Sequence, residues 1–200
     1  YLGDGALNQG AFYESMNLAG LFDLPVIFVL ENNGYSMGTS IERGTTMATE
    51  LQTKSEAHGI EHTIVDGKNV LSLYQDFKPI VDWCREESRP YFVEAKTYRY
   101  KGHSMSDPRK YRTKDEEYLE EEDDCIEHLS QHLYEEHDLT PDSIKQMTRQ
   151  VKTQVRLAVE WAKESPEPPM EELYTDVYTD QWGPYTGTSK PQMLDQEDET

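Results

Sequence analysis

An α/β fold, with a parallel sheet, helices on both faces and a helical region after it, is what this 200-residue chain predicts. Two observations predict it. Apolar runs alternate with amphipathic stretches through residue 98. The stretches between the runs are long enough for helical crossovers, which parallel strands need and hairpins do not.

The elements follow in order. The opening "YLGDG" is expected to be the tail of a longer strand whose beginning lies upstream of Tyr1. A glycine-rich turn, Gly3–Gly5, leads into "QGAFYESMNLAGLF", helical from about residue 9. Pro25–Leu30 reads as a buried strand. "ATELQTKSEAHG" is a short helix stopped by Gly59. "HTIVDG" is a strand and turn. "NVLSLYQDFKPIVDWCREES" puts Val70, Leu73, Phe77, Ile80 and Cys84 on one helical face, and Pro79 is expected to kink it or end its first part. "PYFVEAKTYRY" is a strand running into an exposed loop at 101–114. "DEEYLEEEDDCIEHLSQHLYEEH" reads as one acidic helix with Ile126, Leu129 and Leu133 on its apolar side. In "TPDSIKQMTRQVKTQVRLAVEWAKES", Thr140 is a candidate N-cap, Pro141 sits at the first helical position, and Ile144, Met147, Val151, Val155 and Ala158 form a stripe expected to be buried. The domain reading is an α/β core over 1–110, a helical C-terminal region of the same domain over 111–182, and a disordered tail over 183–200.

Charge is unevenly spread. Residues 1–110 hold 11 basic and 15 acidic side chains, and residues 111–200 hold 8 and 24. A net charge of −20 argues against nucleic acid and anionic membrane as partners. It is compatible with a basic protein partner. Cys84 and Cys125 lack metal or redox spacing, which fits a reducing compartment. No apolar run reaches the ~18 residues of a membrane span.

The chemistry concentrates at two strand ends. Asp4 follows the first strand, and Asn33 follows the next, 29 residues later with a helix between. In a parallel sheet, ligands bind beyond the carboxyl ends of the strands, so these side chains are expected to converge. A carboxylate, an amide oxygen and the carbonyl of Tyr35 are hard oxygen ligands suited to Mg²⁺. Gly3 and Gly5 allow a tight turn, and the amides of Gly5 and Ala6 near a helix start can receive a diphosphate. A lone GDG, or a lone Asn-Asn-Gly, is usually a turn. The two together, 26 residues apart, are far more specific.

That pair resembles the thiamin diphosphate motif, and the resemblance extends further. "GDGALNQGAFYESMNLAGLFDLPVIFVLENNGYSMGTSIER", "VDGKNV", "TYRYKGHSMSDPRKYRT" and "PEPPMEELY" together resemble the alpha-subunit family of pyruvate dehydrogenase first components, over roughly residues 2–178. "GHSMSDP" is the most specific part. The resemblance implies a thiamin-diphosphate-binding fold and a heterotetramer of two alpha and two beta subunits, with the cofactor held between an alpha and a beta chain. It implies oxidative decarboxylation of pyruvate and acetyl transfer to the lipoyl domain of the second component, a dihydrolipoyl acetyltransferase. Asp4, Asn33 and the Tyr35 carbonyl are implied Mg²⁺ ligands, and Gly5 and Ala6 are implied diphosphate contacts. His103 is the implied catalytic residue beside the reacting end of the cofactor; a histidine can give or take a proton near neutral pH. Ser104 matches the family's main regulatory phosphoserine, and Ser40 a weaker second site. The implied compartment is the bacterial cytoplasm, or the mitochondrial matrix in a eukaryote.

This chain departs from the family pattern in three places. The segment that normally supplies a Tyr-Arg pair near the cofactor does not appear in it. Only Arg109 and Lys110 stand between "SDP" and "YRT", where animal enzymes carry a further serine. The final "TGTSKPQMLDQEDET" has no family match. Two alternatives remain open at this point. One is an acetoin or branched-chain 2-oxoacid dehydrogenase alpha subunit, against which "GHSMSDP" weighs. The other is a non-catalytic acidic interaction chain, against which the intact metal motif weighs.

Overall fold

The computed structural model of the chain describes residues 1–173 and residue 175. The expected tail at 183–200 lies outside the described residues, as does the end of the expected helical region at 174 and 176–182. The chain forms two compact units, residues 1–140 and a second beginning at Pro141.

The first unit is α/β. Four parallel strands, β1 (Leu2–Gly3), β2 (Ile27–Asn32), β5 (Glu61–Asp66) and β6 (Tyr91–Lys96), stand in the order β1-β2-β6-β5. Helix α1 (Gly10–Leu21) connects β1 to β2, and α3 (Val70–Glu87) connects β5 to β6. Between β2 and β5 lie a two-stranded hairpin, β3 (Tyr35–Ser36) with β4 (Thr39–Ser40), the short helix α2 (Ile41–Gly44) and a 3₁₀ segment, Leu51–His58. The last is the expected short helix, wound more tightly. Gly59 ends it at φ 65°, a backbone state that glycine adopts without strain.

Strand register shows helices on both faces. Phe28 pairs with Phe92, and Leu30 with Glu94. Phe28, Leu30 and Phe92 pack with Leu7, Phe12, Met16 and Leu51, so α1 and the 3₁₀ segment cover this face. The alternate residues Ile27, Tyr91, Val93 and Ala95 pack with Val65, Leu73, Phe77 and Ile80, so α3 covers the other. Leu30, Phe92 and Val93 are fully buried. Each contributes about 1.5–3 kcal/mol of transfer free energy, which anchors the middle of the sheet.

Several expectations need correction. The strand at Pro25–Leu30 begins and ends two residues later, as β2, so Asn32 belongs to the strand. Helix α3 runs unbroken through Pro79; one missing N–H does not end a helix whose following turn buries Ile80 and Cys84. Val70, expected on that buried face, is exposed at the helix start. The single acidic helix is two, α4 (Lys114–Glu122) and α5 (Cys125–Glu136). The Asp124 side chain accepts from the amides of Ile126 and Glu127 and so starts a new helix. Ile126 is exposed, while Leu129 and Leu133 are half-buried.

The second unit contains α6 (Pro141–Glu164) and a 3₁₀ turn, Met170–Leu173. No residue of α6 is buried, and Met147, Val151 and Val155 are all more than half exposed. The stripe is amphipathic as expected, but amphipathicity alone does not bury a face. Among the described residues, no helix is long and apolar enough to cross a membrane.

Candidate functional site

Because β1, β2 and β6 are parallel neighbours, their carboxyl ends share one edge of the sheet. Asp4 follows β1, Asn33–Tyr35 follows β2, and Thr97–Arg99 follows β6. Asp4 opens a 3₁₀ turn, Asp4–Asn8, that joins β1 to α1. It is 2% exposed, and its Oδ2 is buried without a hydrogen-bond partner. Burial pushes its pKa up. The Gly5 amide, the Arg99 guanidinium and the amides of Tyr35 and Gly34 pull it down, without cancelling that effect. Asp4 thus lies against the turn after β2. An ionised Asp4 costs stability here, and the cost grows as pH rises through its folded pKa. A cation would offset it.

The turn after β2 is held by both asparagines. Asn32 Oδ1 accepts from the Gly34 amide at 3.1 Å, and Asn33 Oδ1 accepts from the Tyr35 amide at 3.2 Å. Gly34 has φ 80°, a backbone state that glycine adopts without strain. The Gly34 carbonyl accepts from the Ile41 amide at 2.9 Å, and the Asn32 carbonyl from the Thr97 amide at 3.0 Å. So Asn33 and Tyr35 are presented from a pinned loop. Among the described residues, no group of three His, Cys, Asp or Glu side chains could hold a metal ion. A cation at this edge would therefore draw on one carboxylate with amide and carbonyl oxygens, a donor set that suits magnesium. Gly5 is packed tightly: a Cβ there would overlap Ser36 Oγ and Cβ. A cavity of about 440 Å³ opens beside the turn, bordered by Asn33, Tyr35, Thr97, Tyr98, Glu116 and Glu120. That size is within the range of small-molecule sites, but Asp4, Gly5, Ala6 and His103 do not border it, so it adjoins the edge at Asn33 and Tyr35 rather than enclosing it.

The loop at 101–112 is tied to the same edge. His103 is exposed, and its backbone amide donates to Asp107 Oδ2 at 2.8 Å. Tyr111 donates its hydroxyl hydrogen to the same oxygen at 2.5 Å. Arg99 donates to Tyr111 Oη at 2.8 Å and to the Met37 carbonyl at 2.7 Å. Asp107 is held down to about 2, first by Tyr111 and then by the amides of Arg109 and His103. The His103 backbone is therefore joined by hydrogen bonds to Asp107, Tyr111 and Arg99, and the Arg99 charge in turn acts on Asp4. Arg112 is buried among three rings, its guanidinium carbon 4.6 Å from the centre of Tyr35, 4.7 Å from Tyr98 and 5.6 Å from Tyr111. It also donates to the Arg99 carbonyl. Ser104 is exposed, with its Oγ 3.2 Å from Ser106 Oγ. Ser40 is half-buried at the end of the hairpin, paired with Tyr35.

Sequence reasoning missed Arg99, Asp107, Tyr111 and Arg112 as parts of this edge, although all four lie inside the quoted stretch "TYRYKGHSMSDPRKYRT". A clustering of tyrosine and arginine in a polar loop was the available signal. It also missed Glu94, an acid inside the apolar run "YFVEA".

Comparison with known proteins bears on what this edge holds. The family model described as dehydrogenase E1 component matches residues 1–171. The pyruvate dehydrogenase E1 component subunit alpha of Rickettsia typhi is 44% identical over 149 residues, 74% of this chain and 45% of that one. Its counterpart in Rickettsia prowazekii is 50% identical over 116 residues, 58% of this chain and 35% of that one. The mitochondrial counterpart in Saccharomyces cerevisiae is 44% identical over 133 residues, 66% of this chain and 31% of that one. The matched part thus spans less than half the length of these relatives.

Proposed function

The chain belongs to the dehydrogenase E1 component family, and from that premise we propose that it is the magnesium- and diphosphate-holding part of a pyruvate dehydrogenase first-component alpha subunit. The observation that carries the reading is Asp4, a buried carboxylate with one unpartnered oxygen set against the Asn33–Tyr35 turn. Asp4, the Asn33 amide oxygen and the Tyr35 carbonyl are the proposed magnesium ligands. The backbone amides of Gly5 and Ala6, at the start of the turn into α1, are the proposed contacts to the diphosphate. When bound, thiamin diphosphate supplies the carbon nucleophile and electron sink that decarboxylation of a 2-oxoacid requires.

The protein's own part is binding and proton handling. Asp4 brings a negative charge already desolvated by folding, so what remains to be offset on ligation is the cation's own loss of water. His103 is the proposed proton carrier toward the keto oxygen of the substrate, on a loop whose backbone Asp107 fixes. The net reaction takes pyruvate to CO₂ and an acetyl group, which passes to the lipoyl group of the second component as its disulfide is reduced. The proposed partners are a beta subunit, in an assembly of two alpha and two beta chains, and the lipoyl domain. Ser104 is the proposed regulatory position, with Ser40 secondary: a phosphate at Ser104 would stand close to Asp107 in the chain and repel it. A reducing compartment, bacterial cytoplasm or mitochondrial matrix, is the proposed location.

The test is substrate turnover by the full-length protein assembled with its beta subunit. Pyruvate, acetoin and branched-chain 2-oxoacids are compared under one condition, with reduction and acetylation of a lipoyl domain as the readout. Pyruvate is expected to give the highest kcat/KM. Preference for either other class would overturn the assignment.

A further inference from the structure

Glu94 lies in the middle of β6, on the face that carries Phe92, between Leu30 of β2 and Ile64 of β5. It is 2% exposed. An apolar side chain is the default at such a position, since a buried acid must be matched by specific partners. Its Oε1 accepts from Asn32 Nδ2 at 2.9 Å, while Oε2 is buried without a partner. Asn32 Oδ1 in turn accepts from the Gly34 amide. The nitrogen end of the Asn32 amide is thus committed to a carboxylate and the oxygen end to an N–H. Only one orientation of that amide satisfies both.

We propose that Glu94 is a positioning residue for the cation site: it fixes the Asn32 amide, which holds Gly34, so that Asn33 and Tyr35 present their oxygens toward Asp4. The inference rests on the magnesium–thiamin diphosphate reading above and deepens it. It accounts for both asparagines of the pair, the second facing the cation and the first anchoring the turn. It also explains an acid within an apolar strand, where packing alone calls for none. Groups that hold metal ligands in place commonly matter nearly as much as the ligands themselves.

The experiment titrates magnesium thiamin diphosphate calorimetrically into full-length protein assembled with its beta subunit, alongside thermal unfolding of the same samples. Glu94→Met keeps the side-chain length, removes the acceptor and relieves the sheet of a buried acid, which offsets the Asn32 N–H left without a partner, so its unfolding midpoint should stay close to that of the wild type. Its affinity should nonetheless fall by about 10–100-fold. Glu94→Gln keeps an amide oxygen that can accept from Asn32 and should stay within about threefold of wild type. Asn32→Ala breaks the same bond from the half-buried turn side and should match the loss in Glu94→Met, with no further loss when the two are combined. Wild-type affinity in either Glu94→Met or Asn32→Ala overturns the proposal. So does an affinity loss that only follows a lowered unfolding midpoint. A wild-type assembly that does not bind magnesium thiamin diphosphate instead overturns the parent reading, and the positioning role falls with it.

Discussion

A methyl group at residue 5 separates space from sequence at the residue scale. Its overlap with Ser36 is with both Oγ and Cβ, so shortening Ser36 to alanine would not clear it. Gly5→Ala should cost about 1–3 kcal/mol and weaken cofactor binding, and Ser36→Gly should recover part of both, as calorimetry and thermal unfolding on the double variant would show. Recovery absent from the double variant would mean that the glycine serves something other than close packing. Asp107 gives a pH prediction. Its folded pKa lies below the ordinary value, at about 2, so its contribution is present above pH ~4 and is lost as pH falls through the folded pKa. Pepsin cleavage within 101–112 should therefore accelerate from pH 4 to pH 2 in the wild type, while Asp107→Asn should be cut readily across that range. Asp4 and Asn33 were legible because their spacing and chemistry both pointed to one edge. Glu94 and Arg99 were not, because their roles depend on register with β2 and on a loop folding back over Met37, which spacing does not encode.

At the scale of elements, the strands and crossovers were legible and the interruptions were not. Apolar runs mark buried strands whatever the loops do, so β2, β5 and β6 were found from their runs, while the two-residue β1 was read from the truncated "YLGDG". The break between α4 and α5 was hidden because every residue of "EEEDDCIEH" tolerates a helix; Asp124 restarts it only because its side chain caps the next turn. Lys68, ahead of α3, pairs with Glu120 of α4 and with Asp123 at that break. Asp124→Ala should lower stability by about 1 kcal/mol, read from a urea midpoint with unchanged slope. Arg112 tests the packing of the loop on the hairpin. Three tyrosine rings and the Arg99 carbonyl surround a planar guanidinium, which a lysine ammonium does not reproduce. Arg112→Lys should cost about 2 kcal/mol and leave the sheet intact by far-ultraviolet circular dichroism. A neutral substitution would show that the ring stack contributes nothing to holding 101–112.

On the scale of the whole molecule, the parallel sheet brings three neighbouring strand ends to one edge. Charge follows a different division along the sequence, with most of the acidity after residue 110, although Glu116 and Glu120 from that part border the cavity beside the turn after β2. The exposed apolar stripe of α6 was legible as periodicity but not as exposure, because a sequence shows which side is apolar and not what covers it. The central claim is that the ends of β1 and β2 jointly hold a cation and a diphosphate. Its most direct test is magnesium thiamin diphosphate affinity of Asp4→Ala against wild type, in full-length protein assembled with its beta subunit. The expected loss is at least about a hundredfold, ~2.7 kcal/mol, with an apo-protein unfolding midpoint unchanged or raised because a buried acid has been removed. Wild-type affinity in Asp4→Ala would contradict it.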